Sequence, residues 1–526
     1  MSLNTLDNAS VHHAANTRSV CMRIVKVLRT LMIVAGMVAI PALTVSAEGT
    51  AEDSVAAAGP VEITWMHAFF GEYHDEGDIL EEAVNESVEG VDVEVVMLPN
   101  REMEERYNLM IASGDLPNIM PIYRDTEFFK FARDGVFASL NEYLPWDESR
   151  YPHLAEYFPM DLLEKATHVD GHYYGIYKAT VPVERMLAIR TDWLDNLGLE
   201  PPTTMEELLE VARAFTYEDP DGDGEDNTWG LAVSKNLAEP MWWMNGSFHV
   251  NYIDTWHFYP AAEDSPYEYV EPSLWQPGIK ETIAFLRQAY ADGVVIPDSI
   301  TLNYGPILRE YFRANRLGML GVNTAAGFED MGVDVIPPPS GPFGEPRVPR
   351  RSPVWRNYVV TAISTEEQVE ASVRILDWLL SPAGQELVKF GKEGVHFTER
   401  RSNGMPIPNM DVPFGNLHYL PYPPEDPYVD LTRKELGTPQ AAERVEDEQT
   451  WLSYSIEIPT NFMTGKPESH SRVSELFDLV WGTSLAVIAG DRPLSAVDEM
   501  VEEANRRLMI EVTEDMNEAI RRQGIQ

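Results

Sequence analysis

The stretch Arg190–Gly230, RTDWLDNLGLEPPTTMEELLEVARAFTYEDPDGDGEDNTWG, decides how the rest of the chain is read. It opens on a turn at Leu197-Gly198-Leu199. Thr203 and Glu206 then stand three residues apart, the spacing at which two side chains cap each other's free backbone N–H and start a helix. Met205, Leu208, Leu209, Ala212 and Phe215 recur at helical spacing and give that helix one apolar face. An acidic loop follows, from Asp219 to Thr228. Asp219, Asp221 and Asp223 take positions 1, 3 and 5 of a calcium loop, Gly224 the turn at 6, the Glu225 carbonyl position 7 and Asn227 position 9. The bidentate Glu expected at position 12 is missing, because that residue is Gly230. Six carboxylates and amides within ten residues repel one another without a counter-ion, so the loop is read as a structural Ca2+ site rather than a solvated polar turn.

The run Arg190–Leu199, then Pro202-Thr-Thr, then Asp219-Pro-Asp-Gly-Asp-Gly resembles the carbohydrate-type extracellular solute-binding proteins of bacterial ABC importers, in their large, oligosaccharide-binding branch. Other stretches resemble the same family: Ala112–Asn118, Gly135–Leu140, Gly171–Pro182, Asn323–Phe328, Val333–Pro339, Ser381–Gln385, Gly391–Phe397 and Gly482–Ser495. The resemblance implies an α/β, two-lobed periplasmic-binding-protein fold of type II. Each lobe is expected to be a mainly parallel sheet flanked by helices, the two joined by a hinge. Lobe one is expected at 61–178 with part of about 338–365, and lobe two at 179–337 with much of 366–526, with Val333–Pro339 resembling the family's second crossover, where three prolines stiffen the chain at the hinge.

Before residue 61 the chain reads as a leader. Residues 1–21 look like a mis-called start or a disordered tail, with Met22 the true start. Arg23, Lys26 and Arg29 precede an apolar run from Leu31 to Ile40, and Val45-Ser46-Ala47 is a small-residue cleavage site. That run is shorter than the roughly 20 residues of a membrane span. Residues 48–60 form a linker rich in Ala, Glu and Ser. The single cysteine, Cys21, precedes the apolar run, whereas a lipoprotein carries its cysteine just after it. The expectation is therefore a periplasmic or secreted monomer without a stable membrane anchor and without disulfides.

Charge narrows the function. Removing residues 1–47 takes Arg18, Arg23, Lys26, Arg29 and Asp7 from the 40 basic and 85 acidic residues, leaving 36 against 84, a formal −48. Nucleic acid is excluded, because phosphate binding needs a positive field. Anionic ligands are disfavoured unless a local arginine cluster overrides the net charge. Arg347, Arg350 and Arg351 are the densest positive cluster, either a salt-bridged surface or a face turned to an acidic group on the ligand.

Strands read at Val61–Met66, Val91–Met97 and Asn118–Tyr123, with helices at Glu76–Ser87, Glu102–Ile111 and Thr126–Arg133 between and after them. Such alternation means a parallel sheet, and ligands of open sheets sit at the carboxyl ends of the strands. His67, Phe69, Asn100, Tyr123 and Arg124 fall in the loops there, positions that equally suit ordinary surface or hinge residues. Further on comes an aromatic cluster, Trp242, Trp243, Phe248, Tyr252, Trp256, Phe258 and Tyr259, with Trp275 after it. An aromatic face covers the apolar C–H face of a pyranose, and amides, carboxylates or cations bond its hydroxyl rim. Trp242, Trp243, Trp256 and Trp275 are candidate contacts on that ground, with core packing the competing account; Asn323, Trp355 and Arg356 join them from later loops. His249 and His257, with no nearby cysteine or i, i+4 partner, do not make a metal site.

The function expected is capture of a carbohydrate, an oligosaccharide, by hinge closure and its delivery to ABC transporter permease subunits, with no catalysis. Two rivals remain open on sequence: a secreted glycoside hydrolase, which needs two suitably spaced carboxyls, and a binder of a non-sugar solute such as a peptide or polyamine. Residues 400–454, rich in Pro and acid, read as loops without a lobe.

Overall fold

The computed structural model describes residues 59–69, 75–123, 125–179, 183, 185–237, 239–253, 257–323, 328, 331–350, 354–412, 414–423, 439–458 and 467–523. The leader, the linker up to residue 58, Arg124, Trp256 and Arg351 lie outside these.

Lobe one is built on five strands, β1 (Val61–Phe69), β2 (Val91–Pro99), β3 (Ile119–Ile122), β4 (Ile176–Ala179) and, much later in the chain, β8 (Val354–Val360). Their order is β2–β1–β3–β8–β4. β1 runs parallel to β2 and β3, while β8 is antiparallel to both neighbours. The alternation of side chains along a strand sends Trp65 and Met66 into separate cores on the two faces of the sheet. One core takes Ile79, Leu80 and Val84 from α1 (Glu76–Ser87), and the other takes Met103 and Tyr107 from α2 (Met103–Ser113).

Lobe two centres on β5 (Met186–Arg190), flanked by β6 (Met319–Val322) and β7 (Val333–Ile336). Both flanking strands run antiparallel to β5, which differs from the mainly parallel sheet expected here. The reason is connectivity. β5 enters from the crossover out of β4, whereas β6 and β7 run back toward that same end. Helix α3 (Met205–Tyr217) packs Leu208, Ala212 and Phe215 into this lobe's core. Its cap is displaced by one residue from the expectation: Thr204, not Thr203, accepts from Glu207 N at 3.1 Å, and Glu207 reaches back to Thr203 N at 2.8 Å. Paired threonines facing paired glutamates make the two registers equivalent on paper; the chain uses the one that buries Met205.

The lobe boundaries also move. Pro337–Ser340 stays on lobe two, where Ser340 N bonds Thr203 O and Ser247 Oγ donates to Pro339 O. The chain remains there through Arg350, whose N–H bonds Ile456 O, so the second crossing lies between Arg350 and Val354 and not at the prolines. Helices α4 (Glu366–Leu380) and α5 (Pro382–Phe390), expected with lobe two, pack into lobe one's core, as do Leu417, Leu420 and Tyr422. Trp451, on a helix spanning Pro439–Leu452, belongs to lobe two, with its indole N–H on Ile336 O. Among the described residues the chain therefore changes lobes three times: after β4, before β8, and between Tyr422 and Trp451.

Gly175, just ahead of β4, sits at φ +79° with no room for a Cβ, which would stand 1.9 Å from the Tyr358 carbonyl oxygen. Gly175→Ala is expected to cost about 3 kcal/mol of stability by overpacking against backbone, read from the urea midpoint. An unchanged midpoint would show that β8 does not press on this turn.

Candidate ligand cleft and cation loop

The carboxyl ends of β1, β2, β3 and β4 and the start of β8 share one edge of the lobe-one sheet. Four aromatic rings gather there. Trp355 and Tyr419 lie 5.4 Å apart, centroid to centroid, both half-buried. Tyr123, just past β3, receives a hydrogen bond on its hydroxyl from Arg356 Nη1 at 2.9 Å, and the same guanidinium lies 4.1 Å from its ring centre. Lys178 Nζ stands 4.1 Å from the centre of the Tyr422 ring. Burial pushes the Tyr123 phenol up to about 12, against the opposing pull of Arg356, so the ring is a neutral hydrogen-bonding platform at any physiological pH.

The edge of lobe two that follows next along the chain is the one where β5 begins. Arg185 precedes β5 and Asn323 follows β6, so antiparallel pairing brings them together. Asn323 Oδ1 accepts from Arg185 Nη1 at 3.2 Å and from its backbone N–H at 3.3 Å. The Arg185 guanidinium also lies 4.4 Å from the Tyr304 ring centre. A 3-10 segment at Glu239–Met244 packs against β5 and β6 and presents Trp242, edge-on to Tyr252 at 4.7 Å, with His257 4.1 Å beyond that ring. Only seven residue steps separate Lys178 from Arg185, so the two edges are tethered within roughly 24 Å.

Several expected contacts are placed here and others are not. Phe69 and Asn100 sit half-buried at the ends of β1 and β2, and Tyr123, Asn323, Trp355 and Arg356 stand at the strand ends described above. Three need correction. His67 is wholly buried: the Tyr358 hydroxyl donates to Tyr419 O at 2.9 Å, which leaves His67 Nδ1 to donate to that hydroxyl at 3.1 Å. It supports the floor of the cleft instead of facing it. Trp243 is 2% exposed and inside the lobe-two core, because successive side chains of a 3-10 turn point about 120° apart and so meet different surroundings. Trp275 is drawn toward the C-terminal helices, its indole N–H on Asn505 Oδ1 at 2.8 Å and its ring against Tyr267. Arg350 takes the surface reading, paired with exposed Glu457 at 3.0 Å, while Arg347 lies 5.8 Å from the Tyr259 ring centre. Lys178, Arg185, Tyr304 and Tyr419 were not foreseen. Lys178 and Arg185 stand either side of the first crossover, the one local signal, whereas Tyr304 and Tyr419 come from distant parts of the chain.

The acidic loop lies at the other end of β5. Arg190, the last residue of that strand, pairs with Asp192 and Asn315, and Asn315 Nδ2 donates to Asp221 Oδ2 at 3.0 Å. Four residue steps of β5 put about 13 Å between this end and the cleft. Asp219, Asp221 and Asp223 each offer a carboxylate oxygen within 4.8 Å of the others. The loop closes on itself through Gly224 N to Asp219 Oδ2 at 3.1 Å and Glu225 N to Asp223 Oδ1 at 2.7 Å. Asp221 Oδ1 and Asn227 Oδ1 are buried without a hydrogen-bond donor. Burial, then Asp223 and Asp219, holds the Asp221 carboxyl above its ordinary range. Inward-turned oxygens lacking donors, amid mutually repelling carboxylates, fit a hard cation taking oxygen ligands.

Residues 80–389 match the family model described as bacterial extracellular solute-binding protein. The chain is 26% identical over 393 residues to the polygalacturonan/rhamnogalacturonan-binding protein YtcQ of Bacillus subtilis, covering 70% of this chain and 74% of that one. In structure it is similar to the FusA substrate-binding protein of S. pneumoniae in complex with kestose, with a TM-score of 0.68 and 19% identity over 88% of this chain and 99% of that one. It is also similar to the alginate-binding protein AlgQ2 without calcium ion, with a TM-score of 0.63 and 19% identity over 88% of this chain and 98% of that one. At these identities the two structures speak to the fold alone, which is the two-lobed α/β architecture of type II binding proteins.

Proposed function

We propose, from the premise that this chain belongs to the bacterial extracellular solute-binding proteins, that it captures an oligosaccharide between its lobes and hands it to the permease of an ABC importer. The observation that carries this reading is the pairing of half-buried rings on one strand-end edge, Trp355, Tyr123 and Tyr419, with a polar edge on lobe two, Arg185 and Asn323. Flat rings take the C–H face of a sugar, while amide and guanidinium groups take its hydroxyls. YtcQ is named for an acidic polymer and FusA was solved with the neutral kestose, so the relatives leave the charge of the ligand open.

Ligand touching both edges favours the closed form, because only there are both sets of contacts made. The permease reads the closed form, and no bond in the sugar is broken. Export through a leader at 22–47 suits an extracellular family. Among the described residues, no helix is long and apolar enough to cross a membrane.

The acidic loop binds one calcium ion through Asp219, Asp221, Asp223, the Glu225 carbonyl and Asn227. Bound there, the ion supplies charge neutralisation that ties the end of α3 to β5. Its distance from the cleft makes it structural.

A calorimetric screen of neutral and acidic oligosaccharides, with mass spectrometry of the ligand afterwards, tests the reading. One glycan class should bind and be recovered intact; cleaved sugar, or no binding across the screen, overturns it. Trp355→Ala is expected to weaken binding about tenfold, a loss of roughly 1.4 kcal/mol, with little change in melting temperature. Unaltered affinity would remove that ring from the cleft.

A further inference from the structure

The cleft rings of lobe one are held in two different ways. Trp355 and Arg356 belong to β8, where the register slips: Val354 pairs with Ala179 and Arg356 with Lys178, which leaves Trp355 as a bulge. A bulge re-aims a side chain. Tyr123 directly follows β3. The sheet fixes all three, and the Arg356 guanidinium sits against both rings, 3.8 Å from the centre of Trp355 and 4.1 Å from that of Tyr123. Tyr419 completes the group, its ring centre 5.4 Å from the guanidinium and 5.4 Å from the Trp355 ring. This residue has no strand to hold it. It ends a short 3-10 segment, Asn416–Tyr419, and the last carbonyls of a helical segment find no partner inside it.

Side chains of the lobe-one interior tie this segment down at both ends. At its start, Gly415 N donates to Oε1 of the fully buried Glu76 at 3.2 Å. At its end, the Tyr358 hydroxyl donates to Tyr419 O at 2.9 Å and accepts from His67 Nδ1 at 3.1 Å. Tyr358 and His67 are both wholly buried, on the central strands β8 and β1. Burial pushes the Tyr358 phenol well above its ordinary range, so it keeps the proton it donates. A recognition ring works only if its supports hold it to within a fraction of an ångström of the productive geometry. On the reading that an oligosaccharide lies on these rings, which this step presupposes, we infer that Tyr358, braced by His67, is a positioning residue for ligand binding: its hydroxyl sets where the Tyr419 ring stands beside Trp355 and Arg356. It raises affinity without touching the sugar, because a ring already in place need not be ordered when the ligand arrives.

The test is a double-mutant cycle on the purified protein in calcium buffer, with Tyr358→Phe, Tyr419→Ala and the two combined. The probe is whichever of kestose, an α-1,4-galacturonate pentamer and an alginate tetramer the parent binds most tightly, titrated well below the melting transition. Tyr419→Ala should weaken binding. Tyr358→Phe should weaken it about fivefold in the parent, and by less than about twofold in the Tyr419→Ala background, where no ring is left to place. Its effect on melting should be the same in both backgrounds, since the same hydrogen bond is lost; a merely structural role would move melting alone. Should Tyr358→Phe not fold, His67→Leu, which removes the brace behind the hydroxyl, replaces it in the cycle with the same pattern expected. Equal affinity losses in both backgrounds would overturn the inference, and so would undiminished affinity in either single variant; each of these leaves oligosaccharide capture standing. A parent that binds none of the sugars would overturn both.

Discussion

Trp243→Ala is expected to cost about 4 kcal/mol of stability and to lower the melting temperature by on the order of 10 °C, while its neighbour Trp242→Ala changes melting little and weakens ligand binding. The two residues are adjacent, and their environments are opposite. Trp243 is 2% exposed and lies in the lobe-two core with Met241, Met244 and Phe248. Truncating a buried aromatic removes its transfer free energy and leaves a cavity the surroundings fill only in part, together roughly 3–5 kcal/mol. Against a total stability of about 5–15 kcal/mol, that is a large share. Trp242 is half-buried and edge-on to Tyr252, whose other neighbour is His257. Its ring is a candidate ligand contact. Urea midpoints of both variants, with titrations of whatever glycan binds the parent, separate the roles. A Trp243→Ala protein that melts like the parent and loses its ligand would put that indole back in the cleft.

That pair shows where reading the chain alone stops. Helix Glu76–Ser87 was legible end to end, because its apolar periodicity lies within one short window. The acidic loop was legible for the same reason, since all its oxygens come from nine consecutive residues. Trp242 and Trp243 lie in a 3-10 turn too short to show a period, so nothing local says which ring turns inward. The cleft is harder still. Arg356 meets Tyr123 across 233 residues, and Arg185 meets Asn323 across 138, pairings set by sheet order rather than by spacing. The prolines at 337–339 misled for a related reason: a stiff segment suits a hinge, but here it is fastened to lobe two by Thr203 and Ser247. The bulge at Trp355 is likewise invisible until the partner strand is known.

Removing calcium is expected to destabilise lobe two by roughly 4 kcal/mol when the ion is otherwise present at about a thousand times its dissociation constant, since binding to the folded form alone adds RT ln(1 + [L]/Kd). The loop explains why an ion has this leverage. Asp219, Asp221 and Asp223 crowd their oxygens within 4.8 Å, while Asp221 Oδ1 and Asn227 Oδ1 face inward without donors. Without a cation, both features oppose folding. Melting in millimolar calcium should therefore exceed melting in chelator by on the order of 10 °C, and Asp221→Asn or Asp223→Ala should abolish most of that difference. The pH dependence has a definite sign. Burial, then Asp223 and Asp219, raises the folded-state pKa of Asp221, so the chelated protein binds that proton more tightly folded than unfolded. It gains stability as pH falls into the carboxylate range and loses that gain as pH rises through the raised folded-state pKa. The calcium-loaded protein does the reverse, because protons displace the ion from the same oxygens. The two melting curves should converge from both sides as pH drops from 7 toward 4. Glycan affinity measured below the melting transition should barely respond to the Asp221→Asn change, since β5 stands between loop and cleft. Superimposed melting in calcium and chelator at every pH would mean that the carboxylates are merely solvated, and a glycan that leaves when the ion does would mean that the loop belongs to the cleft.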